Sequence, residues 1–338
     1  LKNFLAVPTP EKEALIPSLL FRRDLVALAG RRRNGKTTLT LNLSVALASG
    51  KPFIGYEIPH PCRVIAFLLE DDTREIHDKV RVVVNGSYDV KENLFLFTRE
   101  YFNQREIKIG AANPKFVNCI RDICESVEPD CIILDNAAQL VHGDVNNAVK
   151  VYALCELCRD ISQTFNCAVI VPAHPRKANE SVPSLLSNPE AFFEEVMGSS
   201  GFINSFGSLW GIQRNQDDLT HFLGGPQRVT GVQNTIALLK RDDGWFEIVD
   251  DWEELFNMAC GTKKRQDAWK ALPNKFRFTD AHRICESHIQ SKDSFNNWLQ
   301  HCVRLALMIK QSDGSYIKRT KSEVKKSSTD SKHLKRIK

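Results

Sequence analysis

Apolar residues in the first 250 positions fall into short runs separated by longer segments of helical period. Leu25-Val26-Ala27-Leu28-Ala29, Val64-Ile65-Ala66-Phe67-Leu68-Leu69, Leu94-Phe95-Leu96-Phe97, Cys131-Ile132-Ile133-Leu134 and Ala168-Val169-Ile170-Val171 show no polar alternation. Each therefore reads as a strand covered on both faces. Residues 36–49, 73–84, 114–127 and 146–165 lie between them and repeat at about 3.6 residues, the helical period. In the last of these the apolar stripe is Val149, Leu154, Leu157, Ile161 and Phe165. Strand and helix in alternation predict an α/β fold with a mostly parallel sheet, right-handed crossovers and a ligand site at the carboxyl ends of the strands. Residues 175–206, rich in Ser, Asn, Pro and Glu, read as a long mobile loop with one helix around 189–196. Beyond it, Leu209-Trp210-Gly211-Ile212, Thr235-Ile236-Ala237-Leu238-Leu239 and Trp245-Phe246-Glu247-Ile248-Val249 extend the sheet.

Composition adds a division that the hydrophobic pattern does not show. The 338 residues suit one large unit and a small one. The net charge of +5 is unevenly spread: residues 260–338 hold 19 Lys and Arg against 7 Asp and Glu, leaving 27 against 34 for residues 1–259. A basic C-terminal quarter on an acidic body is the distribution expected of a nucleic-acid-binding module joined to a catalytic one. No stretch reaches the roughly 20 apolar residues of a membrane span. Leu1-Lys2-Asn3-Phe4-Leu5-Ala6-Val7 lacks the features of a secretory signal, so the expected location is cytoplasmic. The ten cysteines sit inside apolar runs and read as buried thiols; Cys155/Cys158 and His282/Cys285 have metal-like spacing, but each lacks a second pair.

The most specific chemistry is the loop Gly30-Arg31-Arg32-Arg33-Asn34-Gly35-Lys36-Thr37, which follows a strand and precedes a helix. In that context the glycines let backbone amides turn inward around an anion, and the helix start adds positive potential. Lys36 then reaches the β and γ phosphates of a nucleoside triphosphate, and the Thr37 hydroxyl ligates magnesium, with Thr38 continuing the binding segment. Three consecutive arginines in the loop are unusual, and the sequence gives them no role. Leu69-Glu70-Asp71-Asp72 ends the next strand, where a glutamate can take a proton from water attacking the γ phosphate. Asp135, ending Cys131-Ile132-Ile133-Leu134-Asp135, is a second strand-tip carboxylate suited to magnesium. His174 ends a third strand and is placed to sense the phosphate state.

These motifs, with Leu19-Leu20, Asp24 to Gly30 and Ala48-Ser49-Gly50-Lys51-Pro52-Phe53-Ile54-Gly55, resemble the hexameric RecA-like ATPases of the RepA type, an AAA-family group with plasmid and phage replicative helicases. The resemblance spans roughly residues 15–250. It implies ATP and Mg2+ as ligands, Lys36 and Thr37 at the nucleotide and metal, Glu70 as catalytic base, Asp135 at the metal and His174 as sensor. It also matches the turn Gly198-Ser199-Ser200 and the basic pair Lys240-Arg241, which in relatives reaches the neighbouring subunit's nucleotide, so a homo-oligomeric ring, a hexamer, is implied. The chain departs in carrying Met197 where relatives have Arg, leaving Arg214 or Arg241 to supply the charge, or hydrolysis slow.

Residues 262–318 read as helices over 265–272, 279–287 and 292–307 and a hairpin turning at Asp313-Gly314, an arrangement that resembles a winged helix. Ser291 suits the cap of the third helix, whose Lys292, Asn296, Asn297 and Gln300, with Lys310 and Lys318 of the hairpin, are the candidate nucleic-acid contacts. The expected organisation is a RecA-like P-loop ATPase domain over 1–258, a winged-helix-like DNA-binding domain over 259–318 and a disordered basic tail over 319–338. The expected activity is that of an ATP-dependent helicase or translocase acting on single-stranded or forked DNA. An ATP-gated DNA-binding regulator with slow hydrolysis stays open beside it because of Met197.

Overall fold

The structure is a computed structural model. It describes residues 12–84, 89–90, 92–142, 147–174, 185, 189–194, 200–214, 220–227, 231–249, 251–305, 307–311 and 313–319. In chain order its strands are β1 (Ala14–Ile16), β2 (Leu20–Phe21), β3 (Leu25–Ala29), β4 (Val64–Leu68), β5 (Leu94–Thr98), β6 (Cys131–Asp135), β7 (Ala168–Ala173), β8 (Ser208–Arg214), β9 (Thr220–Gln227), β10 (Gly231–Lys240), β11 (Phe246–Ile248), β12 (Lys275–Arg277), β13 (Met308–Lys310) and β14 (Ser315–Lys318). The helices are α1 (Lys36–Ser49), α2 (Thr73–Val84), α3 (Arg99–Asn103), α4 (Pro114–Val127), α5 (Ala137–Leu140), α6 (Ala148–Thr164), α7 (Pro189–Glu194), α8 (Ser200–Ser205), α9 (Trp252–Cys260), α10 (Lys263–Ala271), α11 (Phe278–Cys285) and α12 (Lys292–Arg304).

Among the described residues the main sheet runs β11-β10-β9-β8-β3-β7-β6-β4-β5. From β8 to β5 all neighbours are parallel, while β9, β10 and β11 continue antiparallel beyond β8. The continuous apolar runs have the expected consequence. Ala27, Ala29, Ile65, Phe67, Ile132, Leu134, Val169 and Val171 enter one core, and Val26, Leu28, Val64, Ala66, Leu68, Ile133 and Ile170 the other. Side chains alternate faces along a strand, so a strand buried on both sides has no polar positions to spare. Phe116, Ile120 and Cys124 of α4 and Leu154, Leu157 and Ile161 of α6 cover the first face; α1, with Ile76 and Val83 of α2, covers the second.

Helix α1 is buried almost all round, which forces its polar residues to find partners. Thr40 Oγ1 donates to Thr37 O and Ser44 Oγ to Thr40 O. Asn42, fully buried, donates from Nδ2 to Gly244 O at 3.2 Å and accepts at Oδ1 from the Phe246 amide at 2.9 Å. This one side chain ties the β10-β11 hairpin to the helix that follows the phosphate loop. Gly50, in the left-handed region at φ 67°, ends α1 by donating to carbonyls of its last turn.

The C-terminal elements form a smaller body with the order helix, strand, two helices and hairpin, and a three-stranded sheet β12-β14-β13. Phe276, Phe295, Trp298, Leu299, Cys302, Leu307 and Tyr316 are buried there, and Trp298 Nε1 donates to Ala259 O at 3.1 Å. Ser291 caps α12 by accepting from the Ser294 amide.

The strands and helices expected from the pattern are present, with boundaries moved by one to a few residues. The elements α3, α5, α8, α9, β1, β2 and β12 and the strand β9 were not foreseen; in β9 the apolar pair Phe222-Leu223 gives way at once to Gly224, Gly225 and Pro226. The expected mobile loop is also partly corrected. Leu185, Phe192, Phe193, Phe202 and Phe206 are buried, and the Leu185 amide donates to Gln213 Oε1, so these described residues are anchored. A few apolar anchors scattered through a polar segment escape a reading based on overall polarity. Residues 195–199, with Met197 and the Gly198-Ser199 turn, and 320–338, almost all of the expected tail, lie outside the described residues.

Asn42→Ala removes two hydrogen bonds and leaves two buried main-chain groups without partners. A loss of about 3 kcal/mol is expected in urea unfolding; a change below about 0.5 kcal/mol would contradict the tie between hairpin and helix.

Candidate functional site

Strand register brings the chemistry together. Ala29 of β3 pairs with Ala173 of β7, Ile133 of β6 pairs with Ile170 of β7, and Asp135 of β6 pairs with Leu68 of β4. The phosphate loop, His174, Asp135 and Glu70 thus leave adjacent strand tips at one edge, in that order. The loop is shaped by two glycines. A Cβ on Gly30 would stand 2.7 Å from Ile212 O of β8, and Gly35 has φ 85°. Neither site accepts a side chain without movement.

Lys36 is buried at 6% exposure, its Nζ donating to Gly30 O at 2.8 Å and Arg31 O at 3.1 Å, with His174 Nδ1 at 3.0 Å. An ammonium can only donate, so His174 accepts at Nδ1 and carries its ring proton on Nε2. That nitrogen faces Glu70 Oε2 at 3.5 Å. Asn136 Nδ2 donates to the same carboxylate oxygen. The His174 hydrogen bond is the main reason the Glu70 carboxyl is held below its ordinary pKa, with Lys36 and Arg32 adding positive charge. Glu70 is consequently ionised at neutral pH.

Asp135 is buried, and its Oδ2 accepts the Thr37 hydroxyl at 2.9 Å. Its Oδ1 is also buried and has no hydrogen-bond partner among the described residues. A buried carboxylate oxygen without a partner costs free energy unless a cation takes it. Paired with a threonine hydroxyl, it is the hard-oxygen donor set that suits magnesium. Burial raises the Asp135 carboxyl to about 6 against the opposing Thr37 bond and Lys36 charge. Burial also lowers the Lys36 ammonium to about 8.

The remaining expected residues separate into several groups. Arg31, Arg32 and Arg33 expose their side chains; what the loop contributes at Arg31 is its carbonyl to Lys36. Asn34 donates to Ile212 O at 3.3 Å, and Thr38 is half-buried in the first turn of α1. Lys240 ends β10 and Arg241 follows it, and the antiparallel course of β10 returns that end to the edge where the phosphate loop lies. Arg241 is engaged within its own hairpin by Asp243 at 2.8 Å and Glu247 at 3.6 Å. Asp71, beside Glu70, is taken by Lys79.

In the C-terminal body Lys292, Asn296 and Asn297 are exposed on one side of α12, and Lys310 is exposed near the Tyr316 ring. Gln300 is half-buried and donates to Tyr316 Oη at 3.2 Å. Lys318 is a correction: its Nζ donates inward to Trp269 O at 3.0 Å and Leu272 O at 2.6 Å. A lysine used to satisfy carbonyls of α10 is not available to a phosphate.

Sequence reasoning missed Asn136, Asn42 and His221. Asn136 follows the Asp135 strand tip and caps α5, a position at which asparagine is common enough to signal nothing more. His221, buried in β9, packs edge-on against Phe246 with centroids 4.9 Å apart, both flanking Gly35. No local pattern marked it.

A family model described as an AAA domain matches residues 1–180. A KaiC-like protein of the hyperthermophilic archaeon Pyrococcus horikoshii, 10% identical, aligns over 70% of this chain and 93% of its own with a TM-score of 0.47. No curated protein sequence matches.

Two pH effects follow. A phosphate beside Lys36 favours the ammonium, so nucleotide binding near pH 8 is expected to take up protons, measured calorimetrically in buffers of different ionisation enthalpy; no uptake would contradict the burial of Lys36. Asp135, with its folded pKa raised, stabilises the metal-free fold below about pH 4 and loses that contribution as pH rises through about 6. Magnesium with ADP should therefore raise the melting temperature more at pH 7.5 than at pH 5, a difference that Asp135→Asn removes.

Proposed function

The chain belongs to the AAA domain family, a family of P-loop ATPases, and on that premise we propose that it is an ATP-dependent DNA translocase or helicase of the replicative, mobile-element type, working as a homo-oligomeric ring. The observation that carries the hydrolytic part is the pairing of an ionised Glu70 with a partnerless Asp135 oxygen at neighbouring strand tips. Loop amides and Lys36 hold the β and γ phosphates, and Thr37 with Asp135 holds Mg2+. Bound there, Mg2+ would neutralise charge on the phosphate oxygens. Glu70 orients a water toward the γ phosphorus and takes its proton as the new O–P bond forms and the bond to the β–γ bridging oxygen breaks. His174, between Lys36 and Glu70, feels both the phosphate and the base, which suits it to report the nucleotide state.

The DNA part is supported by the charge division and the C-terminal element order, which resembles a winged helix. Lys292, Asn296 and Asn297 on α12 form the reading face, with Lys310 on the hairpin contacting phosphate. Gln300 and Lys318 are left out of that face because Tyr316 and α10 occupy them. Lys240 and Arg241 at the site edge are the candidates to reach a neighbouring subunit's nucleotide, for which Arg241 must leave Asp243 and Glu247. Met197 keeps the slow-hydrolysing, ATP-gated regulator as a second reading.

Glu70→Gln is expected to keep ATP binding and lower turnover at least about 100-fold, the range of a lost general base; normal turnover refutes the base assignment. Single-stranded DNA is expected to stimulate wild-type turnover, and ATP to drive separation of a forked duplex. Stimulation by DNA without strand separation favours the regulator, and indifference to DNA removes both readings.

A further inference from the structure

Arg99 begins α3 at the tip of β5 and belongs to none of the motifs above. Its side chain is half-buried and turned beneath the acidic turn. Nε and Nη2 both donate to Leu69 O, at 3.1 and 2.6 Å, and Nη2 also donates to Gln139 Oε1 at 2.6 Å. Leu69 immediately precedes Glu70, and its amide donates to Asp135 O at 2.7 Å. Gln139 stands on α5, and the cap of that helix, Asn136, donates to the Glu70 carboxylate. The contacts close a circuit: Leu69 carbonyl, Arg99, Gln139, α5, Asn136 and Glu70.

A guanidinium is a planar fork with fixed donor directions, and a charged donor makes the stronger hydrogen bond. Among the described residues Arg99 forms no ion pair with a carboxylate. Its donors go to one main-chain carbonyl and one side-chain amide. Two donors on a single carbonyl restrain the peptide that joins Leu69 to Glu70, so the start of the Glu70 side chain is fixed from below while Asn136 fixes its end. On the opposite side of the turn, Thr73 Oγ1 and Thr98 Oγ1 lie 3.1 Å apart and hold it to the β5 tip.

We propose that Arg99, acting through the Leu69 carbonyl and Gln139, is the positioning residue that sets the Glu70 carboxylate for its water. The inference rests on the ATPase reading for its kinetic consequence and on coordinates alone for its geometric one.

Arg99→Ala should lower kcat about 10- to 100-fold, the scale of a misplaced catalytic group, with the KM for ATP within about twofold. Arg99→Lys, which keeps a charged donor but not the fork, should recover part of the loss. Gln139→Ala, the milder break in the same circuit, should reduce kcat in the same direction by less. Added to Glu70→Gln, Arg99→Ala should cost nothing more, because its effect passes through the carboxylate. An unchanged kcat, or a full additional loss in the Glu70→Gln background, overturns the proposal. A crystal structure of Arg99→Ala decides it independently of turnover, including in the case that wild-type protein hydrolyses no ATP and the ATPase reading itself fails. Glu70 displaced from Asn136 and His174 supports the proposal, and Glu70 in place overturns it. If Arg99→Ala does not fold, the Gln139→Ala structure is read in the same way.

Discussion

The hydrogen bond from Thr37 to Asp135 is the contact on which the site depends. Thr37 lies beyond β3 and Asp135 ends β6, strands that are not neighbours because β7 lies between them. The bond therefore exists only if three parallel strands keep their order and their register, with Ala29 set against Ala173 and Ile133 against Ile170. The apolar runs supply that constraint, because a strand buried on both faces cannot slip by one residue without exchanging its two cores. A parallel sheet also collects loop ends at one edge, where helices begin and positive potential accumulates.

The same arrangement costs stability. Burial drives Lys36 and Asp135 each toward its neutral form, to about 8 and about 6, although each also feels the other's charge. Two buried ionisable groups, one with an oxygen that has no hydrogen-bond partner among the described residues, make poor structural elements and good ligands. Around them the fold spends polar residues on rigidity: Asn42 fixes the β10-β11 hairpin, Asn136 the end of Glu70, and the Ile212 carbonyl backs Gly30. These contacts hold the charged groups close to a geometry that no pair of them would adopt alone.

Much of this was legible in the sequence, for identifiable reasons. The phosphate loop, Glu70, Asp135 and His174 each end an apolar run, so the strand pattern located them before any coordinates did. Contacts across the fold were not legible. Arg99 lies 30 residues from the Leu69 carbonyl it serves, and Asn42 lies more than 200 from Gly244 and Phe246. His221 sits in a strand whose apolar residues, Phe222 and Leu223, are followed by Gly224, Gly225 and Pro226, too short a run to mark a buried strand. Lys318 looked like a free basic residue in the sequence, yet its head turns inward onto the Trp269 and Leu272 carbonyls, a choice made by packing rather than by composition.

A magnesium-nucleotide held by Lys36, Thr37 and Asp135 is the central claim, and equilibrium titration of the whole chain with ATP tests it most directly. One nucleotide is expected to bind per chain, much tighter with magnesium than without, and binding is expected to be lost in Lys36→Ala. Absence of binding, or equal affinity in Lys36→Ala and in magnesium-free solution, would contradict it.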